Sequence, residues 1–429
     1  MKIILVGGGG REDAILKAVI KNPDTEKIYA VPGNAGSANL NQVERINISA
    51  EDISGIKNFA REHEIDFAIV APDDPLALGL VDELESMNIK CFGPNKLAAE
   101  VESSKIFAKT LMKKYNIPTA DYEIFTDVDS ALSYVAKSDY PLVIKADGLA
   151  KGKGVVVAES FKQAREAVLN CLKSKIFGQS GEKIVIEKFL TGHEATVMAF
   201  TDGKTIIPMI SSMDHKRALD GNKGSNTGGM GVIAPNPFYN SELENFCMNK
   251  IFLPTMNALN SEGRKFKGCL YFGLMLHENN TASVIEYNSR FGDPEAEAVL
   301  PLLETDLLKI MRAVADERLS DIKIDFAKKY SCCVILASGG YPGKYLTGNE
   351  ITFDENALSK IPDIQIFHAG TKFIDGKYFT NGGRVLAVNA VANDPETARL
   401  NAYEAVNNIK FDNMFYRHDI GTSHLNSKK

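Results

Sequence analysis

The chain has 429 residues, 44% hydrophobic and 24% charged, an ordinary globular balance with material for two to four domains. Lys plus Arg number 49 and Asp plus Glu 55, so the formal charge is −6; this argues against a general nucleic-acid binder but leaves room for small anions held by a few focused lysines. No window approaches the ~20 apolar residues of a membrane span, and the first residues read as a strand rather than a cleavable leader, so a cytoplasmic protein is expected. The six cysteines (Cys91, Cys171, Cys247, Cys269, Cys332, Cys333) form no CxxC pair and have no neighbouring histidine cluster, which predicts reduced thiols rather than zinc or a disulfide framework.

In chain order, residues 2–6 read as a buried strand, 7–10 as a glycine turn, and 12–21 as a helix with Ala14, Ile15, Ala18 and Val19 on one face. Strands at 27–31, 67–70 and 90–92 and a helix at 76–87 complete an alternating pattern that predicts a parallel sheet, residues 1–100. A helix over 96–115 follows. Strands at 140–147, 155–158 and 183–189 with a helix at 161–172 predict a small α+β lid, residues 121–190. Hairpins at 195–210 and 271–287 and a helix over 242–262 belong to a core formed by 101–120 and 191–325. Residues 326–429 form a small strand-rich C-terminal domain. The fold class is thus a multidomain mixture of α/β and α+β.

Five segments carry chemistry. The run Gly7-Gly8-Gly9-Gly10 between strand and helix suits an anion, with tight packing as the plainer alternative. It does not fit the dinucleotide fingerprint: the third glycine is out of register and the second strand ends in Pro32-Gly33, without an acid for a ribose. Lys145 leaves a buried strand, where an unpaired ammonium is costly and a polyanion would offset the cost; Gly148, Lys151, Gly152, Lys153 and Gly154 follow as a flexible basic loop without the Walker pattern. The strand ending in Glu187 leaves a free edge at Phe189 and Leu190 able to read an adenine, with Glu194 downstream for ribose hydroxyls. Alternation puts Glu286 and Asn288 on one strand face as hard oxygen ligands for Mg²⁺ or Mn²⁺, and Arg290 continues that face toward a transferring phosphoryl group. The segment Asp214-His215-Lys216-Arg217 with the glycine-rich 222–231 suits substrate handling; His215 lacks a carboxylate partner and is not read as a base.

Together these segments resemble the ATP-grasp fold. Gly9-Gly10-Arg11-Glu12, Pro32-Gly33-Asn34-Ala35-Gly36, Asp214-His215-Lys216-Arg217, Asn226-Thr227-Gly228-Gly229-Met230-Gly231, Arg290 to Glu295, His368-Ala369-Gly370-Thr371 and Asn381-Gly382-Gly383-Arg384-Val385 resemble the glycinamide ribonucleotide synthetase family, in order and nearly end to end. The resemblance implies ATP-dependent ligation of glycine to 5-phosphoribosylamine through a glycyl phosphate, in a monomer or homodimer without nucleic acid or membrane partners. It implies ATP contacts at Lys105, Lys145, Gly152, Lys153, Gly154, Glu187, Phe189, Leu190 and Glu194, and metal ligands Glu286 and Asn288. It implies substrate contacts at Gly9, Gly10, Asn34, Asp214, Lys216, Asn226, Thr227, Gly228, Gly229 and Arg290, with Arg290, Lys145 and Asp214 catalytic. Gly8, Asp13, the run Ala71-Pro72-Asp73-Asp74 and Ser289 depart from the family pattern, Ser289 being expected to face away from the metal and to matter little. Rival readings are another ATP-grasp ligase of the carboxylase type, a dinucleotide oxidoreductase, and a non-catalytic nucleotide-binding module.

Overall fold

A computed structural model describes residues 1–149, 154–175 and 181–422. The basic-loop residues Lys151, Gly152 and Lys153 lie outside the described residues. The N-terminal sheet has five parallel strands in the spatial order Val43–Arg45, Lys27–Pro32, Lys2–Gly7, Phe67–Val70, Lys90–Phe92. Continuous apolar runs such as Ile3 to Val6 suit strands covered on both faces. The strand order reverses direction at Lys2–Gly7, which opens a crevice at the carboxyl ends of the strands beside the glycine run.

Three expected helices are interrupted, each for a local reason. The 76–87 helix is two helices, Asp73–Leu78 and Leu80–Glu85, separated by Gly79 at φ +92°, a left-handed conformation that glycine adopts without a Cβ penalty. The 96–115 helix breaks into Lys96–Ser103 and Lys105–Lys114 around an extended Ser104, whose hydroxyl accepts from Phe107 N–H at 3.0 Å. Asp147 of the lid completes that break: its Oδ1 accepts from the Ser104 hydroxyl and from Ile106 N–H, both at 3.1 Å. The 242–262 helix carries a wide π turn, Met248–Phe252, between Ser241–Cys247 and Leu253–Ser261, just before Pro254, which has no N–H to donate.

The lid is an antiparallel sheet ordered Tyr122–Phe125, Ile184–Lys188, Leu142–Ala146, Val155–Ala158, with the helices Val128–Val135 and Phe161–Val168 in its apolar core. The central antiparallel sheet is ordered Ile206–Pro208, His193–Thr201, Gly268–Leu276, Ala282–Asn288. The main C-terminal sheet contains Tyr330–Ser338, Arg384–Ala392 and Ile364–His368, but it also takes Met213–Asp214 and Gly231–Ala234 from the middle of the chain. A continuous sheet therefore crosses the division expected near residue 326. One apolar cluster runs from Ile15 and Phe92 through Phe200 and Phe291 to Cys333, with the Phe92 and Phe200 rings 5.9 and 6.0 Å from Phe291. All six cysteines are buried free thiols, and burial pushes Cys332 up to about 12. Among the described residues no helix is long and apolar enough to cross a membrane.

The N-terminal and C-terminal parts are tied by a compact set of hydrogen bonds. Asn34 Nδ2 donates to His368 O at 2.6 Å and lies 3.2 and 3.1 Å from Gly8 O and Gly9 O, while its Oδ1 accepts from Gly36 N–H. His368 N–H donates to Asp13 Oδ2 at 2.9 Å, and Asp13 pairs with Lys17 at 2.9 Å. Burial pushes the His368 imidazole down to about 4, against the pull of Asp13. The unfolded chain takes up that proton near the ordinary histidine value of about 6.5. Stability therefore falls as pH drops from about 6.5 toward 4, with about 2 kcal/mol lost by pH 5. In His368→Gln, the difference in unfolding free energy between pH 7 and pH 5 should shrink by that amount; a denaturation series with an unchanged difference would refute it.

Candidate active site

The site is organised by the strand Ala282–Asn288. Strict alternation would place Glu286 and Asn288 on the same face as Ala282 and Val284, which is the core. The ladder to Gly268–Leu276 instead pairs Gly273 with Glu286 and Leu274 with Val284, leaving Ile285 as an extra, bulged residue. The bulge turns the strand over, so that Val284 and Tyr287 are both buried while Glu286 and Asn288 share the opposite face, as the sequence suggested. Burial alone would push the Glu286 carboxyl up, but Lys216, Lys145, Lys105 and Arg290 together hold it below the usual range. The result is one ionised carboxylate ringed by four cations drawn from four segments.

Each cation has its own anchor. Lys105, at the start of the helix after the Ser104 break, donates to Gly148 O at 2.9 Å; burial pulls its ammonium down while Glu286 opposes. Lys145 Nζ donates to the bulged Ile285 O at 3.0 Å and pairs with Glu187 Oε1 at 3.0 Å. The other oxygen of Glu187 pairs with Lys109 at 2.9 Å, and Lys109 also donates to the Thr119 hydroxyl, which donates to Val284 O. Burial brings Lys109 down to about 8 despite Glu187. The Glu187 side chain, expected beside the adenine, is thus wholly engaged by two buried lysines, because two ammonium groups in an apolar setting need a counter-charge. The strand-edge backbone is separate from this: strand pairing ends at Lys188, whose N–H donates to Asp121 O, and Phe189 and Leu190 follow outside the ladder. Gly154 closes the lid hairpin through its carbonyl, which accepts from Ala146 N–H.

A second cluster surrounds Asp214. Its Oδ1 is buried without a hydrogen-bond partner, and burial with Glu295 nearby pushes the carboxyl well above the usual range against Lys216 and Arg384. Glu295 is held by Tyr271 OH at 2.9 Å and the Thr196 hydroxyl at 3.2 Å. Lys216 pairs with Glu194 at 3.3 Å, whose charge keeps the ammonium well above its ordinary value despite burial. The 226–229 segment is not a loose connector. Asn226 pairs with Arg217 in a hairpin, the N–H and hydroxyl of Thr227 both donate to Lys216 O at 2.8 Å, and Gly228 N–H donates to Tyr341 OH. Gly229 sits at φ +113°, where a Cβ would lie 2.6 Å from Asp214 Oδ1, so only glycine fits there. Buried His215 has Nδ1 3.1 Å from Gly231 O.

Tight packing requires glycine at two positions of the glycine run. A Cβ on Gly8 would meet Gly33 O at 2.6 Å, and one on Gly10 would meet Glu297 Oε1 at 2.2 Å. Gly9 N–H is taken by Glu12 Oε2 at 2.6 Å. The Asn34 amide hydrogens serve backbone carbonyls at the junction of the N-terminal and C-terminal parts, so the side chain acts as a structural tie there. Several functional residues were not foreseen. Arg384 donates to Gly228 O at 2.6 Å and Asp293 O at 2.9 Å and pairs with Asp293 Oδ1 at 2.8 Å, locking the C-terminal part onto the loop after Arg290. Buried Glu102 accepts from Arg290 Nη2 at 2.9 Å, Ser289 N–H at 2.7 Å and the Ser289 hydroxyl at 2.8 Å. Ser289 does face away from Glu286, but it matters, because it supports Glu102. No local signal marks Glu102, which sits in an ordinary helical stretch.

Glu187→Gln leaves Lys109 and Lys145 buried around a neutral amide, and should lower stability by about 3–5 kcal/mol, the usual cost of breaking a buried pair. Urea unfolding followed by circular dichroism, with a midpoint equal to the parent's, would refute the node.

Comparison with known proteins agrees with this geometry. Three family models match in series: the phosphoribosylglycinamide synthetase N domain over residues 1–102, its ATP-grasp (A) domain over 103–296 and its C domain over 331–423. A phosphoribosylamine–glycine ligase of Caldanaerobacter subterraneus is 44% identical over 99% of this chain and 100% of that protein, and one of Vibrio vulnificus is 42% identical over 98% of each. The crystal structure of phosphoribosylamine–glycine ligase from Thermotoga maritima, 31% identical, superposes with a TM-score of 0.85 and covers 98% of this chain and 100% of that one. A biotin carboxylase from Campylobacter jejuni, at 15% identity, TM-score 0.75, and 99% and 96% coverage, shares the fold alone. The chain belongs to the phosphoribosylglycinamide synthetase family of ATP-grasp ligases.

Proposed function

We infer that this chain ligates glycine to 5-phosphoribosylamine at the expense of ATP, giving glycinamide ribonucleotide, ADP and phosphate, the second step of de novo purine synthesis. The family carries the reaction, and the observation that carries the site is the ring of Lys105, Lys145, Lys216 and Arg290 about Glu286. A glycine carboxylate is a poor electrophile, so ATP first transfers its γ-phosphoryl group to a carboxylate oxygen. The ribosylamine nitrogen then attacks the carbonyl carbon, and phosphate leaves. Positioning and charge neutralisation are the protein's main contributions to such a transfer.

Lys105 and Lys145 hold the phosphates, and Arg290 neutralises the transferring group. The backbone at Phe189 and Leu190 reads the adenine, and Glu194 takes the ribose. Gly152, Lys153 and Gly154 close over the phosphates and keep water from the acyl phosphate. Asp214 and Lys216 hold glycine by its two charged ends, while 226–229 with Gly9 and Gly10 border the ribosylamine. The four-part division (1–100, the lid at 121–190, the remainder to 325, and 326–429) assigns substrate, ATP and closing roles to successive parts of the chain, the last sharing its sheet with strands from 213–234, in a monomer or homodimer.

The donor set fits a hard divalent cation, Mg²⁺ or Mn²⁺: Glu286 is held ionised, and Asn288 lies beside it on the same strand face. Among the described residues no group of three or more His, Cys, Asp or Glu side chains could hold an ion by itself, so phosphate and water oxygens must complete the shell around Glu286 and Asn288. Bound there, the cation supplies charge neutralisation between phosphate oxygens.

Phosphate release from ATP should require both glycine and freshly generated 5-phosphoribosylamine, with glycinamide ribonucleotide detected by mass; release with bicarbonate in place of glycine would overturn the assignment. Glu286→Gln should remain folded and turn over at least ~100-fold more slowly. Near-parental turnover would refute the cation site.

A further inference from the structure

We propose that Glu102 is a positioning residue that decides which atom of the Asn288 amide faces the cation site. An asparagine amide has an oxygen that can ligate a hard cation and a nitrogen that cannot, and the two differ by a half-turn of one bond. One terminal atom of the Asn288 amide lies 3.0 Å from Glu102 Oε1 and 3.2 Å from Tyr287 O, and hydrogen-bond chemistry assigns that atom as the nitrogen. Both neighbours are acceptors, so the opposite orientation would set oxygen against oxygen. The Asn288 oxygen is thereby left for the face it shares with Glu286.

The remainder of the Glu102 environment makes the arrangement stiff. Its Oε1 also takes the Arg290 guanidinium, and its Oε2 takes the N–H and hydroxyl of Ser289. Four donors converge on one buried carboxylate, and they belong to three consecutive residues, Asn288, Ser289 and Arg290. A single side chain thus orients a cation ligand and the phosphoryl-facing arginine together. Burial pushes Glu102 up, and Arg290 and the Ser289 donors oppose. Glu102 ends the helix Lys96–Ser103 and Lys105 begins the next, so the break at Ser104 sets a support beneath the site and a phosphate lysine beside it. Groups behind metal ligands commonly change affinity about 10–100-fold when altered.

This inference rests on the cation-site reading above, and the experiment separates the two. Mn²⁺ binding to the ADP complex of the full chain is measured by calorimetry for the parent, Glu286→Gln, Glu102→Gln, and Glu102→Gln with Asn288→Asp. In Glu102→Gln one amide oxygen replaces two carboxylate oxygens and cannot serve Asn288 and Arg290 on one side and the Ser289 N–H on the other, so the Asn288 amide loses its fixed orientation. Mn²⁺ affinity should fall at least ~10-fold, with ADP affinity in the absence of metal within twofold of the parent. The double variant should regain most of the loss, because a carboxylate presents oxygen on both sides. Loss in Glu286→Gln with Glu102→Gln within twofold of the parent overturns the Glu102 role and leaves the cation site standing. A double variant no better than Glu102→Gln also overturns it. No loss in Glu286→Gln overturns the cation site itself. If Glu102→Gln does not fold, the unsubstituted chain decides: electron–nuclear double resonance of Mn²⁺·ADP with ¹⁵N-labelled asparagine side chains should show no directly bound nitrogen, and a strong ¹⁵N coupling would overturn the proposal.

Discussion

A site built for a polyphosphate must hold several positive charges close together, and it must also hold them when no polyphosphate is there. The structure meets that constraint by setting carboxylates behind most of the cations, with Lys105 anchored on a carbonyl instead. Glu187 stands between Lys109 and Lys145, Glu102 behind Arg290, Asp293 against Arg384, and Glu194 beside Lys216. Glu286 is shared by Lys216, Lys145, Lys105 and Arg290. Removing buried charges from water costs several kcal/mol per ion, so the counter-charges are conditions for the cations being there at all. This pairing also leaves cation capacity to spare: a phosphate oxygen can take over part of what Glu187 or Glu286 supplies to Lys145.

The same logic joins the domains. The break between the helices Lys96–Ser103 and Lys105–Lys114 is held by Asp147 from the lid, so the lid and core meet through a carboxylate bonded to exposed helical N–H and hydroxyl groups. Arg384 reaches from the C-terminal sheet to Gly228 and Asp293, and Asp293 in turn receives the backbone N–H of Arg11 at the start of the first helix. Three parts of the chain thus converge on the loop that follows Arg290. Asp13 and Asn34 both bond the backbone of His368 and hold that loop in place. The departure at Asp13 from the family pattern is accommodated by an ion pair to Lys17 and the His368 N–H.

Much of the site was legible as sequence because its chemistry depends on residue type at short range. Glu286 and Asn288 are two apart along a strand that ends at Asn288, two residues before Arg290, and alternation is enough to put the first two together. Lys145 at the end of an apolar strand announced a buried charge needing compensation. The errors came where the partner was remote. Nothing near Glu187 shows that Lys109 and Lys145 will claim both its oxygens, and nothing near Ser289 shows that Glu102 lies behind it, 187 residues away. The helix 96–115 is continuous by periodicity, and its break depends on a carboxylate 41 residues downstream of Ile106.

The sequence by itself determined the parallel N-terminal sheet and the residue types that can bind phosphate and a hard cation, because these follow from periodicity, turn chemistry and local charge, while the class of the protein came from the resemblance of its motifs to a known family. Only the tertiary structure decided which carboxylate answers each buried cation, that a bulge at Ile285 turns Glu286 and Asn288 away from the core, and that strands from residues 213–234 join the C-terminal sheet. Those outcomes depend on desolvation and on hydrogen-bond partners brought together across long stretches of chain, and neither can be read from neighbours in sequence.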